Sequence, residues 1–351
     1  MPNRTLPRAL SSRKKQHVDI TLSRNVLFRK KTTGLERFDF VHNALPEIDL
    51  ADVDTSADFL GHRVSLPFMV SCMTGGYREA LTINRRLAEA CAELGIAMGV
   101  GSQRQALLDT HYHRTFSIVR EVAPSIPVVG NIGAAEVRAM KNADDARRLI
   151  ELIRADALAV HLNPLQEMLQ REGTPTFRGV LSGIALLVAG LPVPVIVKEI
   201  GAGISQSVAR RLLGIGVRHI DVAGAGGTSW AGVETLRAGG KRPNGAFWDW
   251  GIPTAQAIRD VAALRAEVAD LTVIASGGIR SGVDAAKSIA LGADLVASAR
   301  PVLLALDAAG TAGVEKPLRS WAEQLKGAMF LTGSRSIREL QRAQLREADH
   351  P

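Results

Sequence analysis

The chain lacks any run of 18 or more apolar residues among its 351, so no segment reads as a membrane-spanning helix. It is also poor in cysteine. The two present, Cys72 and Cys91, are too few and too far apart to suggest a disulfide framework or a metal-ligand pair. No charged segment leads into an apolar one at the N-terminus, as a secretory leader would require, and a reducing cytoplasm is the expectation. Low-complexity stretches and short repeats are missing as well. The net charge of +8 is dispersed except at Arg13–Lys15 and Arg29–Lys31. A small anionic substrate or a basic surface accounts for that excess as well as a nucleic acid would. What is abundant is apolar surface, at 46% hydrophobic residues, enough for one large soluble domain.

Eight short apolar runs stop abruptly in small or polar residues, each followed by a helix-like segment. They are Phe68–Met73, Ile96–Gly101, Pro127–Gly133, Ala157–Asn163, Pro194–Ile200, His219–Ala225, Thr272–Gly278 and Leu295–Ala299. Most lack the alternation of a sheet with one wet face, which suits strands buried on both sides by helices. Helical patterns fall between them at Leu81–Leu94, Asp144–Ile153, Ser205–Leu213, Thr254–Val268 and Val283–Leu291. Eight β-then-α units predict an α/β fold, a (β/α)8 TIM barrel, over an open doubly wound sheet. Residues 1–12 read as a disordered N-terminus and 13–63 as an arm and preamble. Residues 64–351 read as the barrel with a charged helical tail beyond about Thr332. The segment Arg242–Trp250, after strand six, reads as a lid, an interface loop or packing.

In such a barrel the chemistry sits at the C-terminal strand ends, and these are unusually polar. The richest is His161–Glu167, "HLNPLQE", which puts an imidazole, two amides and a carboxylate into seven residues. Strand five ends in Lys198-Glu199, and a lysine at a barrel mouth requires an anionic partner to offset its desolvation. A phosphate, a carboxylate or the edge of a reduced flavin would each serve. The loops after strands seven and eight, "SGGIR" (Ser276–Arg280) and Ala299-Arg300, form a phosphate-cradle candidate, because glycine lets backbone N–H groups approach a ligand closely. Tight turns alone would also explain the glycines.

Taken in order, "MTGG", "GSQR", "NIGA", "HLNPLQE", "VKE", "GGTSW" and "ASGGIR", with "RKKQH" (Arg13–His17) and "FVHNALPEIDL" (Phe40–Leu50) before them, closely resemble the FMN-dependent type 2 isopentenyl-diphosphate Δ-isomerases. The resemblance covers about Arg13 to Leu340. It implies a reversible 1,3-allylic proton shift between isopentenyl and dimethylallyl diphosphate, with reduced FMN as acid/base catalyst, Mg2+, and NAD(P)H as reductant. It further implies a small-molecule substrate, no nucleic-acid or membrane partner, and a homo-oligomer, tetramer or octamer. Carried over residue by residue, it places Cys72, Met73, Thr74, Ser102, Asn131, Lys198 and Thr228 around the flavin. Gly278, Ile279, Arg280, Ala299 and Arg300 would hold its phosphate. Arg13, Lys14, His17, Ser102 and Arg104 would bind the substrate diphosphate, with His161 nearby and Mg2+ on Glu167. Gln166, His161 and Lys198 are the implied catalytic residues, Gln166 also touching substrate. The chain departs from the pattern at Cys72, where the family has a small Ser or Ala, and at Arg300, which is often smaller.

Three other flavin or nucleotide enzymes share features with this sequence. An FMN-dependent α-hydroxy-acid oxidase or dehydrogenase would need His and Arg near the strand-six loop, and "AGAGGTSW" (Ala223–Trp230) has neither. An inosine-monophosphate-dehydrogenase-like enzyme would need a nucleophilic Cys there. An RNA-directed flavoprotein would place its acid Cys after a strand near substrate, whereas Cys72 ends strand one and Cys91 lies in the first helix.

Overall fold

In the computed structural model, which describes residues 5–239 and 244–347, eight parallel strands close into a barrel. They are β1 (Phe68–Val70), β2 (Ala97–Gly99), β3 (Val128–Gly133), β4 (Ala157–His161), β5 (Val195–Lys198), β6 (His219–Asp221), β7 (Thr272–Ala275) and β8 (Leu295–Ser298). Each begins within one residue of its expected start. Each expected run overshot at its C-terminal end, except at β3, because the small and polar residues there leave the ladder to form the mouth.

The elements follow from local chemistry. Some of the intervening helices start on side-chain caps, with Ser205 accepting from the Val208 N–H and Ser281 from the Asp284 N–H. The helix Ala80–Leu94 ends on Gly95 at φ 62°, the left-handed position that glycine tolerates best. The expected helix Thr254–Val268 tightens into a 3-10 turn at Ala263–Ala266. Two apolar layers result. Phe68, Val70, Met98, Leu158, Val160 and Val197 face the helices, while Met69, Ala97, Val129, Ala157, Ala159, Ile196, Ile274, Leu295 and Ala297 fill the barrel interior.

A hairpin, Ala57–Phe59 with His62–Val64, plugs the N-terminal end of the barrel. Its turn residues Leu60 and Gly61 both have positive φ (51° and 77°), matching the twist of a two-residue hairpin. Phe59 and Val64 join the interior layer.

Two expectations are corrected outside the barrel. Residues 5–12 are not disordered, since they open the helix α1 (Thr5–Ser23) that lies across the mouth; Met1–Arg4 lie outside the described residues. The face α1 presents to the cavity is Leu10, Arg13, Lys14, His17, Val18 and Thr21, four of the six polar, so no apolar stripe advertised it. The tail is not wholly helical either. The long helical segment α2 (Arg300–Thr332), kinked at Ala309 and Gly310, and the short Ile337–Leu340 are followed by a strand, Leu345–Glu347, pairing antiparallel with Phe38–Phe40. The exposed edge of the preamble supplies its hydrogen bonds.

Candidate active site

A cavity of about 540 Å3 opens at the C-terminal ends of the strands and is covered by α1. This lies within the roughly 300–1,000 Å3 typical of small-molecule and cofactor sites. Its charged lining is lopsided: Arg13, Lys14, Arg104, Lys198, Arg280 and Arg300 against Glu136 and Glu167. The wall is built for anions.

The floor is set by strand register. In the ladder His161 stands beside Lys198 and Lys198 beside Asp221, which brings the last side chains of β4, β5 and β6 together. Lys198 is buried, its Nζ 3.3 Å from Asp221 Oδ2 and 2.6 Å from the Glu199 carbonyl that accepts from it. Asp221 is fully buried; its Oδ1 accepts from Ser276 Oγ at 2.5 Å, while Oδ2 has no hydrogen-bond donor of good geometry. The anion expected beside Lys198 is thus at least partly Asp221, a residue that sequence reasoning missed. An ammonium has three protons, so the pair leaves Lys198 able to meet a ligand as well. Glu199 plays a different role, its carboxylate taking the backbone N–H groups of Ile200, Gly201 and Ala202 and fixing the turn after β5.

His161 Nδ1 lies 2.9 Å from Asn131 Oδ1. Burial, followed by the charges of Lys198 and Lys14, pushes the imidazole down to about 3. The ring is therefore neutral, Nδ1–H donates to Asn131, and Nε2 is left as an acceptor. Burial pushes the Cys72 thiol up to about 11, which makes it inert as a nucleophile.

The loop after β4 supports itself. Asn163 Nδ2 donates to Gln166 Oε1 (3.0 Å) and Glu167 Oε1 (2.9 Å), and Glu167 Oε2 accepts from the Thr174 N–H at 2.6 Å. Gln166 Nε2 donates to Glu234 Oε1 at 3.3 Å. Glu234 is a second residue the sequence did not single out, and it is a hub: its buried carboxylate also meets His17 Nε2 at 2.8 Å and Arg237 Nε at 2.8 Å. Burial alone would raise its pKa, but His17 and Arg237 hold it below the usual carboxylate range. A glutamate seven residues beyond Gly227, on a helix, gave no local signal of this.

The arm delivers its basic residues to the same place. Lys14 Nζ donates to the carbonyls of Gly75 (2.8 Å) and Ser102 (2.6 Å), and burial, then Arg13, pushes it down to about 7. Arg13 Nε is buried without a partner. Arg104 pairs with Glu136 at 3.0 Å. His17 stands edge-on to Trp230, with ring centres 5.3 Å apart. Beyond α1, the backbone N–H groups of Arg29, Lys30 and Lys31 all bond Asp249 Oδ1, Trp248 Nε1 donates to the Leu27 carbonyl, and Arg29 stacks on Trp248. The described part of the Arg242–Trp250 segment therefore anchors the arm; Arg242 and Pro243 lie outside the described residues.

The phosphate-side loops are mixed. Gly277 and Gly278 have positive φ (102° and 77°) and line the cavity. They also serve loop packing, since a Cβ on Gly277 would meet the Gly224 carbonyl oxygen at 2.1 Å. Ile279 is buried in the core and can offer only backbone, while Ser298 Oγ donates to its carbonyl. Met73, Ser102, Thr228, Arg280 and Ala299 line the cavity. Thr74 lines it too, but its hydroxyl is turned away to Asn84 Oδ1 at 2.6 Å. Arg300 points its guanidinium at α1 and not at the glycines.

A flavin phosphate and ring fit these residues: a cationic, glycine-lined end, an apolar slot, and Lys198 with Asn131 at the floor. A metal fits less directly. Among the described residues no group of three or more His, Cys, Asp or Glu side chains could hold one. Glu167 could serve only a cation that takes most ligands from water and substrate, as Mg2+ does.

Residues 7–118 and 134–347 match the FMN-dependent dehydrogenase family. The chain is 50% identical over 345 residues to the isopentenyl-diphosphate delta-isomerase of Chlorobaculum parvum, covering 95% of this chain and 96% of the relative. That of Methanothermobacter thermautotrophicus is 47% identical over 334 residues, covering 95% and 92%. Among solved structures, a mandelate oxidase variant with (S)-mandelic acid superposes with TM-score 0.68 at 22% identity, covering 99% of both chains. A Pediococcus acidilactici lactate oxidase gives 0.69 at 16%, covering 98% and 95%. Those two likenesses speak to the barrel alone. The chain belongs to the FMN-dependent dehydrogenase family and, within it, to the FMN-dependent isopentenyl-diphosphate delta-isomerases.

Proposed function

We propose that the protein interconverts isopentenyl and dimethylallyl diphosphate, using FMN, Mg2+ and NAD(P)H as reductant, as a cytoplasmic homo-oligomer. The carrying observation is the name borne by relatives 45–50% identical over about 95% of the chain. The six cations around the cavity support an anionic substrate as well as a cofactor phosphate.

Bound FMN, once reduced, supplies a negatively charged ring that can exchange a proton with a neighbouring alkene. The chain's residues do the rest. Lys198 would offer its remaining proton to the anionic ring, while Asp221 fixes its position by the ion pair. Asn131, Ser102, Met73 and Thr228 flank the ring, and Cys72 does so as a thiol. The backbone of Gly278, Ile279 and Ala299, with the Arg280 side chain, meets the flavin phosphate. Arg13, Lys14 and Arg104 neutralise the substrate diphosphate with a Mg2+ on Glu167; a barrel mouth cannot leave several negative charges unpaired. Gln166, held between Asn163 and Glu234, presents a fixed amide to the reacting carbons. Neutral His161 offers Nε2 as an acceptor without adding charge. Such preorganised polar groups stabilise developing positive charge without reorganising.

The α-hydroxy-acid oxidase alternative finds no support at the strand-six loop, where neither His nor Arg stands between Val222 and Trp230. The deciding experiment is an anaerobic assay with FMN, Mg2+, NADPH and isopentenyl diphosphate. Dimethylallyl diphosphate should form without net NADPH consumption; its absence, together with reduction of the oxidised flavin by a 2-hydroxy acid in a parallel sample without NADPH, would overturn the reading.

A further inference from the structure

Arg300 is the first residue of α2, and its side chain and backbone face different things. Its Nε donates to the Thr21 carbonyl at 2.9 Å and its Nη2 to the Arg24 carbonyl at 3.3 Å. Thr21 lies in the last turn of α1, where carbonyls have no partner within the helix. The Ile20 carbonyl is taken by the Arg24 N–H, but that turn carries no basic residue of its own. Arg300 therefore supplies from another element both the missing donors and the positive charge that a helix C-terminus favours. Burial lowers the pKa of Arg300 as well, so this contact is partly desolvated. On its backbone side, Ala299 precedes α2 with φ −119°, ψ −82° and no side-chain cap, lining the cavity beside Gly277, Gly278 and Arg280. One residue thus has its peptide at the phosphate end of the cavity and its guanidinium on the cover.

We propose that Arg300 is a positioning residue that clamps α1 over the site, linking occupation of the phosphate end to docking of the arm that carries Lys14 and His17. A phosphate bound by the backbone N–H groups of Ala299 and Arg300 orders the start of α2 and so the aim of the guanidinium; Pro301 has no N–H to offer. The ordered clamp holds the C-terminal end of α1, while Lys14 bonds the Gly75 and Ser102 carbonyls farther along the same helix. The consequence for turnover rests on the isomerase reading; the clamp itself does not.

The test is hydrogen–deuterium exchange of residues 5–23 in the full-length protein, before and after saturation with FMN, for the wild type, Arg300→Ala and Arg300→Lys. In the wild type, FMN should slow exchange of the arm. In Arg300→Ala, the flavin should still bind within about threefold of wild type, while arm exchange rises about tenfold or more, as expected for losing two charge-assisted bonds. KM for isopentenyl diphosphate should rise by about the same factor, with kcat changing less. Arg300→Lys, keeping the charge but not the fork, should fall between. The proposal is overturned if Arg300→Ala loses flavin affinity while the arm exchanges as in wild type, for then the residue is a phosphate ligand. It is equally overturned if FMN leaves arm exchange unchanged in the wild type. A changed arm with no isomerase turnover in any form would retain the clamp and remove the functional reading.

Discussion

The two ends of the barrel are made by the same strands and differ in almost every side chain. At the N-terminal end, inward positions are Val129, Ala157, Ala159 and Ile196, sealed by Phe59 and Val64 of the hairpin. Two residues further along, on the same inward face, stand Asn131, His161 and Lys198. Side chains two apart point the same way in a strand, so a step of about 7 Å separates dry packing from buried charge. One end holds the barrel shut; the other is polar and is closed by a helix whose cavity face is mostly polar. Stability and chemistry are thereby assigned to different residues of one strand, and substitutions can separate them.

The sharpest break should come at Lys198. Lys198→Met should lower kcat by at least about a hundredfold and weaken FMN binding by one to two decades, the range for losing a charged hydrogen bond. It also strands buried Asp221, and removing one partner of a buried pair is destabilising by about 3–5 kcal/mol. Lys198→Met/Asp221→Asn should recover most of the Tm and none of the turnover. If activity returned with stability, the lysine would belong to the scaffold.

At the opposite end, Phe59→Ala should cost about 3–5 kcal/mol by opening a cavity in a packed layer, with kcat/KM of the folded protein within about twofold of wild type. Denaturant unfolding read beside steady-state kinetics checks both halves. A large kinetic effect there would erase the distinction between the two ends.

A smaller and more selective effect is expected at Glu167. Glu167→Gln should raise the Mg2+ concentration for half-maximal activity about tenfold, as a metal site losing its one charged ligand would, and leave the FMN dissociation constant unchanged. Loss of flavin with an unaltered Mg2+ requirement would move this side chain into the flavin wall.

The mildest test uses pH. Lys14 is pushed down to about 7 from 10.5, so between those values it is neutral when folded and charged when unfolded. The unfolded chain binds the extra proton there, so the penalty of burying this lysine, fully present below about pH 7, is relieved progressively as pH rises from about 7 to 10.5. A diphosphate needs the charged form. KM should therefore increase several-fold from about pH 6.5 to 8.5, with proton uptake on substrate binding measurable by calorimetry in two buffers of different ionisation enthalpy. His161, held near 3, should add no limb to the kcat profile in that interval. A KM flat in pH would show that Lys14 does not meet the substrate as a cation.

The barrel was legible because its signal is local. Every barrel strand announces itself by an apolar run, and five of the helices between them by their pattern. The motifs carrying the resemblance lie at the strand ends and also read locally. What did not read were partners distant in sequence. Asp221 looks like an ordinary strand residue until register sets it beside Lys198, and Glu234 like a surface helix acid until His17 arrives from 217 residues away. The arm helix escaped because its buried side is basic, so the hydrophobic period that betrays other helices is missing. Arg300 shows the complementary limit: its place after β8 pointed to a phosphate, but the direction of a long side chain is decided by the element that packs over it.

The short ladder between Phe38–Phe40 and Leu345–Glu347 also has a bearing on how the protein is made. Its two strands are about 300 residues apart, and contacts of such separation form late because the intervening chain must first be ordered. During synthesis the preamble emerges long before its partner strand exists, and domains fold as their sequence becomes available. The edge of Phe38–Phe40 must therefore wait, unpaired, until the last strand leaves the ribosome.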